Sequence, residues 1–234
     1  MYKYIKVQKI EYQFVLTLAR PEKRNAFTPT MVNEIYHAFQ EANQDDAVKI
    51  VIIKAEGPIF CAGMDLNTFE NPDLDSVNPS ITNEDISLGQ VFDSLLKPSI
   101  AIVEGSVIAG GFLLILGCTY VFSNREVQFK LPELAIGLFP FQVMASLLKV
   151  MSEKKALQLC LQTEYFDADK AKNYGIVDGY LEEINLEGFI SSFSNISTKA
   201  LTSGIYSLRN LPQVDYSERY KYLKDILDHL KSMK

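Results

Sequence analysis

Two glycine-containing turns in this chain hold residue types and spacings that can do chemistry. One lies in "VEGSVIAGGFLLILGCTYVFS", Val103 to Ser123, where Gly110 and Gly111 stand between a short β-branched run and an apolar stretch of helical length. The other lies in "GPIFCAGMDL", where Ala62 and Gly63 close a segment that follows the apolar run "VKIVIIKAE". The start of a helix carries unpaired N–H groups and the positive end of a dipole, so it attracts negative charge. Glycine there lets a ligand approach the backbone closely. Two such turns after neighbouring strands can aim two N–H groups at one oxygen, which stabilises charge developing on a carbonyl in a transition state. A glycine pair taken alone is equally well explained by tight helix packing.

The elements that must position these turns alternate between strand and helix. "YIKVQKIEYQFVLTLA" predicts two short strands with a turn near "EY". "TPTMVNEIYHAFQEANQ" predicts a helix with Thr28 as N-cap, Pro29 at its first position and an apolar stripe of Met31, Ile35, Ala38, Phe39 and Ala42. "VKIVIIKAE" and "SIAIVEG" predict strands buried on both faces. The polar stretch "LNTFENPDLDSVNPSITNED" predicts a mobile surface loop, "ISLGQVFDSLL" a helix broken at Pro98, and residues 106–118 a buried helix. Short strands at "YVFS" and "VQFK" precede helices at "FQVMASLLKVM", "SEKKALQLCLQ" and "DADKAKNYG", and the chain is helical from about Leu186 onward. Such alternation with a helical end gives an α/β class with parallel strands. The expected division is a core over 1–185 and a helical segment over 186–234.

Composition narrows the functional classes. The 234 residues include 47% hydrophobic and 22% charged, as in an ordinary globular protein. A net charge of −6 argues against a nucleic-acid surface. Cys61, Cys118 and Cys160 are too widely spaced for a zinc site or a disulfide framework, so reduced thiols and a cytoplasmic location are expected, with no metal. No charge-free run approaches the roughly 18 residues of a membrane span. His37 and His229 read as solvated, and no dinucleotide or Walker fingerprint is present.

Five segments, "RPEKRNAFT", "FCAGMDL", "KPSIAIVEGSVIAGG", "FKLPELAIGLFP" and "DADKAKNYGIVD", together resemble the enoyl-CoA hydratase/isomerase (crotonase) superfamily over roughly residues 3–185. The resemblance implies a spiral of ββα units with a helical C-terminal part that assembles as a homotrimer or hexamer. It also implies an acyl-CoA substrate, with acyl carrier protein as the alternative carrier, and no cofactor beyond the coenzyme A of the substrate. The two oxyanion donors then map to the N–H groups of Met64 and Gly110.

The resemblance also implies two carboxylates in hydratases, and this chain carries one. Glu133, in "LPELAIG", matches the second; read alone, it would be a surface glutamate at a strand end. The first position, three residues past Gly110, is Leu113, which cannot exchange a proton or orient water. The pattern "GGFLL … PE … FPF" resembles the mitochondrial-type Δ3,Δ2-enoyl-CoA isomerases, so double-bond migration with Glu133 as the acid/base is expected. An atypical hydratase, a carrier-protein-linked dehydratase or decarboxylase, and a non-catalytic acyl-CoA-binding homologue are the alternatives. The expected binding residues are Lys23 and Arg24 near the phosphates, Ala26 and Ala62 through backbone groups, and Gly111. Leu113, Phe139 and Phe141 are the expected apolar walls. Asp65 is expected to cap the turn that follows it.

Overall fold

Thr28 opens the first helix as its residue type dictates: its hydroxyl accepts from Met31 N at 3.2 Å, and Pro29 takes the first helical position. The five residues of the apolar stripe are all fully buried beneath that helix. The computed structural model describes residues 1–232. In chain order its elements are β1 (Ile5–Ile10), β2 (Gln13–Leu18), α1 (Pro29–Gln44), β3 (Ile50–Ala55), β4 (Ile59–Cys61), α2 (Leu66–Glu70) and α3 (Leu88–Ser94). Then come β5 (Ser99–Val103), β6 (Ser106–Ile108), α4 (Phe112–Leu116), β7 (Tyr120–Ser123), β8 (Gln128–Lys130), α5 (Phe141–Leu147) and α6 (Glu153–Cys160). The chain continues through β9 (Phe166–Asp167), α7 (Ala168–Asn173), β10 (Gly179–Tyr180), α8 (Leu186–Ser191), α9 (Thr198–Asn210) and α10 (Arg219–Ser232).

The strands form two sheets. The larger runs β1-β2-β3-β5-β7-β10 and is parallel apart from the β1–β2 hairpin. Val51 and Ile53 of β3 face the main core, whereas Ile50 and Ile52 face a second cluster covered by Ile190 and Phe193, in and just after α8. This two-sided burial explains the unbroken β-branched run of β3. The smaller sheet runs β4-β6-β8-β9, and its first three strands are parallel.

Two expectations need correction. The apolar run 106–118 is not one helix. Ser106–Ile108 is a strand paired with β4 and β8, a tight turn over Ala109–Gly111 follows, and α4 ends at Gly117. Gly117 permits a close approach, because a Cβ there would stand 2.3 Å from Phe92 Cγ. The stretch 66–85 is not simply a mobile loop. It begins with α2 and is tied to α1 at several points: Asp75 accepts from Thr30 N at 2.7 Å, Asn78 donates to Glu34 at 2.7 Å, and Asn33 exchanges two bonds with the Glu84 backbone. Its abundant Asn and Asp residues act as anchors rather than as solvated spacers.

The C-terminal helices differ in how they dock. Thr198, at the start of α9, donates to Asp46 O at 2.8 Å, and Arg209 near its end donates to the carbonyls of Asp93 and Leu95 at the end of α3. By contrast, α10 buries no residue and leaves Tyr220, Leu223 and Leu227 exposed, with Tyr216 one turn earlier. No helix among the described residues is long and apolar enough to cross a membrane.

Candidate functional site

The smaller sheet creates the site. Because β4, β6 and β8 run parallel as neighbours, their C-terminal ends reach one edge together. Each end delivers one candidate: β4 leads to Met64, β6 to Gly110 and β8 to Glu133. Parallel strands lie about 4.8 Å apart, so the ends of adjacent strands are neighbours along this edge. The carboxyl edge of such a sheet is also where ligands bind in open α/β folds.

Backbone geometry brings Met64 and Gly110 together. Phe27 and Met64 form a parallel bridge in which Phe27 N donates to Gly63 O at 2.8 Å and Asp65 N donates to Phe27 O at 2.9 Å. Those bonds use the residues flanking Met64, so the Met64 N–H turns away from Phe27. Gly110 lies in the first turn before α4, where N–H groups have no intrahelical partner. The Met64 nitrogen lies 3.6 Å from the position a Cβ on Gly110 would take. Gly63 makes the approach possible: its φ is +89°, and a Cβ there would stand 3.0 Å from Gly110 N. Ala109, with φ of +51°, is held in a left-handed conformation that disfavours a Cβ by about 1–2 kcal/mol. Strain of this kind accumulates where the surrounding structure fixes a functional turn.

The two glycines have different roles. Gly110 faces the Phe27 ring and the Met64 amide. Gly111 is buried, and a Cβ on it would stand 2.7 Å from the carbonyl oxygen of Cys61. The side on which a Gly111 Cβ would project is filled by β4, so the absence of a side chain there serves packing.

Glu133 begins a short turn that ends at Gly137 in a left-handed conformation. Its Oε2 is buried without a hydrogen-bond partner among the described residues. Burial holds its carboxyl above the ordinary range, and its own backbone N–H opposes that shift more weakly. The Cys160 thiol, at the end of α6, is pushed up by burial and then by the Glu133 charge. Leu113 lies about one turn past Gly110 and is buried in the main core. Phe139 and Phe141 meet at a tilt of 52° with ring centres 5.2 Å apart, Phe139 half-buried against the core and Phe141 exposed. Within one chain, then, Phe141 does not act as a closed wall.

Lys23 and Arg24 are exposed on the turn before Ala26. The N–H groups of Ala26 and Ala62 are already engaged, by Lys23 O at 3.0 Å and Arg24 O at 3.0 Å. The Ala26 carbonyl in turn accepts from Arg20 Nη1 at 2.8 Å, so a ligand donor there would share that oxygen with Arg20. Asp65 caps α2 as expected, accepting from Asn67 N at 3.2 Å. Burial would raise its carboxyl, but the hydrogen bond and charge of Arg20 hold it below the usual range. His37 is not simply solvated: its Nδ1 lies 2.8 Å from the Tyr2 hydroxyl.

Sequence reasoning missed Asn25 and Arg20. Asn25 is fully buried with φ of +51°, accepts from Arg20 N at 2.9 Å, and donates to Glu56 O at 2.8 Å and Ile59 O at 2.9 Å. Its side chain fixes the turn that presents Phe27 to Met64. The signal was an Asn that follows a run of charged residues, Glu22 to Arg24, which reads as an ordinary loop. Among the described residues, no group of three metal-ligating side chains comes together.

A family model described as enoyl-CoA hydratase/isomerase matches residues 13–202. The chain belongs to the enoyl-CoA hydratase/isomerase family. It is similar to a peroxisomal fatty acid beta-oxidation multifunctional protein of Oryza sativa subsp. japonica, 31% identical over 168 residues, covering 70% of this chain and 23% of that one. It is also similar to a probable peroxisomal enoyl-CoA hydratase 1 of Arabidopsis thaliana, 29% identical over 170 residues, covering 72% of this chain and 63% of that one. In both cases the match spans less than two thirds of the relative's length. The fold matches the crystal structure of an enoyl-CoA hydratase/isomerase from Marinobacter aquaeolei with a TM-score of 0.83, at 22% identity, over 98% of this chain and 90% of that one. The crotonase-like α/β architecture expected from the sequence is thus present, with mixed sheets and a helical C-terminal part.

Proposed function

We propose that this family member moves a double bond within an acyl-CoA thioester, converting a 3-enoyl into a 2-enoyl chain. Glu133 removes a proton from C2, the electron pair spreads over the carbonyl oxygen and C4, and the N–H groups of Met64 and Gly110 bind the oxygen. The protonated Glu133 then returns the proton to C4, leaving the double bond between C2 and C3. A base of this kind works best with a pKa raised toward neutrality, the direction in which burial moves Glu133. One observation carries the reading: Glu133 Oε2 is buried without a hydrogen-bond partner among the described residues, while the apolar Leu113 stands at the position where the likeness to hydratases implies a second acid to position water.

Hydration of 2-enoyl-CoA is the second reading, favoured by the hydratase name of the Arabidopsis relative. The test is to incubate the purified protein separately with 3-enoyl-CoA and 2-enoyl-CoA and to identify the products. Migration well in excess of hydration supports the isomerase reading, whereas comparable turnover of both removes it. Coenzyme A enters only as part of the substrate, with Lys23 and Arg24 supplying cations for its phosphates.

The unpaired apolar stripe of α10 supports assembly with further copies of this chain, as a trimer or a pair of trimers. An isolated helix of this length gains little stability without tertiary packing, and α10 buries no residue in the single chain.

A further inference from the structure

Among the ion pairs of the described residues, Arg20–Asp65 stands apart. Its side chains are 9% and 8% exposed, whereas every other pair leaves at least 35% of each side chain exposed. Burying two charges removes them from water, and the mutual attraction often fails to offset that loss. Stability is therefore a weak reason for a pair at this depth, and its position offers a better one.

Asp65 directly follows Met64, and Ala26 directly precedes Phe27, the bridge partner of Met64. A single nitrogen, Arg20 Nη1, lies 2.8 Å from Asp65 Oδ2 and donates to Ala26 O at 2.8 Å. One atom thus ties the two segments of the bridge, one residue before it on one side and one residue after it on the other. The other Asp65 oxygen is committed to α2, accepting from Asn67 N and Asn67 Nδ2 at 3.2 Å each. The guanidinium is itself seated over the Tyr4 ring, 5.2 Å from its centre. The Gly63–Met64 peptide, which carries the Met64 N–H, is held by Phe27 N donating to Gly63 O at 2.8 Å, and the pair clamps the residues next to both members of that bridge; the Asp65 carbonyl is held separately by Thr68 and Phe69.

We infer that Arg20 and Asp65 are positioning residues that set the direction of the Met64 N–H toward the thioester oxygen. The inference rests on the reading of Met64 and Gly110 as oxyanion donors. A peptide plane free to rotate would bind the ground-state carbonyl nearly as well, but would lose the alignment that matters as negative charge develops. The signature is a fall in kcat at little-changed KM, together with weaker stabilisation of a bound enolate.

The experiment compares the wild-type protein with Arg20→Lys and Asp65→Asn. Lysine keeps the charge but lacks the fork that bonds two oxygens in a fixed geometry. Three quantities are measured: kcat and KM for 3-enoyl-CoA, the Kd of a saturated acyl-CoA, and the near-ultraviolet band of a bound 3-oxoacyl-CoA enolate across pH. The expected result is a fall in kcat of about 10-fold to 100-fold, less than the loss of a whole oxyanion donor. The saturated ligand should bind within about threefold of wild type, and enolate formation should need a pH about one unit higher, the equivalent of a tenfold change. Unchanged kcat and unchanged enolate titration in folded variants overturn the inference, even if their thermal stability falls. Should both variants fail to fold, Asn67→Ala releases one donor from Asp65 at an exposed position and is read the same way. A two- to threefold fall in the enolate equilibrium constant supports the inference, and no change overturns it. A wild-type protein that binds acyl-CoA but stabilises no enolate overturns the oxyanion reading itself, and this result is distinct from wild-type enolisation that the variants share in full.

Discussion

The amide nitrogen of Met64 lies 3.6 Å from the point where a Cβ on Gly110 would stand, and the Phe27 ring closes the same space at 2.9 Å. An added methyl group there presses on the buried ring of Phe27, the bridge partner of Met64, so the ring must shift to admit it. Gly110→Ala should therefore lower kcat by about 10²–10³-fold, the range for losing an oxyanion donor. Gly111→Ala meets the Cys61 carbonyl at 2.7 Å and should instead lower stability, by about 1–3 kcal/mol. Steady-state kinetics and thermal melts on both variants separate the two roles.

Glu133→Gln keeps the shape of the side chain and removes the proton acceptor, so isomerisation should fall by about 10²–10⁴-fold. Burial raises the folded-state pKa of Glu133, so the folded protein holds its proton more tightly than the unfolded chain does. The ionised form is then a destabilising one: stability is lost as pH rises from the unfolded pKa through the raised folded value. The Gln variant should be more stable than wild type at neutral pH and equal to it in acid, below both pKa values. The acidic limb of the wild-type kcat/KM profile should lie above the ordinary glutamate pKa of about 4.3. Chemical denaturation at several pH values and a pH–rate profile check both statements.

Asn25→Ala removes an acceptor for Arg20 N and two donations into the β3–β4 connection, all in a fully buried place. Leaving those groups unsatisfied should lower stability by about 3 kcal/mol, read from urea unfolding. Asn25→Gly suits the positive φ but loses the same bonds, so it should recover only a small part of the loss.

Replacing Leu223 and Leu227 together with Glu places like charges on the exposed stripe of α10 without touching the core of the single chain. Sedimentation should show a trimer or hexamer for the wild-type protein and a monomer for the double variant. A wild-type monomer would mean that the stripe has another purpose.

Local chemistry made much of this readable in the sequence. Thr28 and Pro29 mark a helix start through their own side chains, and the stripe from Met31 to Ala42 follows helical geometry. The pair Gly110–Gly111 signalled a close approach but could not say to what. One glycine faces an amide and the other a strand carbonyl, a distinction set by the register of β4 against β6. The stretch 66–85 looked solvated because Asp75, Asn78 and Glu84 are polar, yet their partners on α1 lie far away in the sequence. Arg20 was hidden for the same reason. Its role comes from two contacts, one of them to Asp65, and only the fold brings them together.

The parallel arrangement of β4, β6 and β8 bears on how the chain folds. Parallel neighbours cannot form a hairpin, so each pairing must close a long crossover before it gains any contact. The turns that carry Met64, Gly110 and Glu133 consequently reach one sheet edge only after segments remote in sequence have been joined, and the high contact order of such pairings slows folding. Turnover is then a sensitive reporter of complete folding. A collapsed intermediate with native-like helices but an unzipped small sheet would be inactive, and refolding followed by activity should lag behind refolding followed by far-ultraviolet circular dichroism.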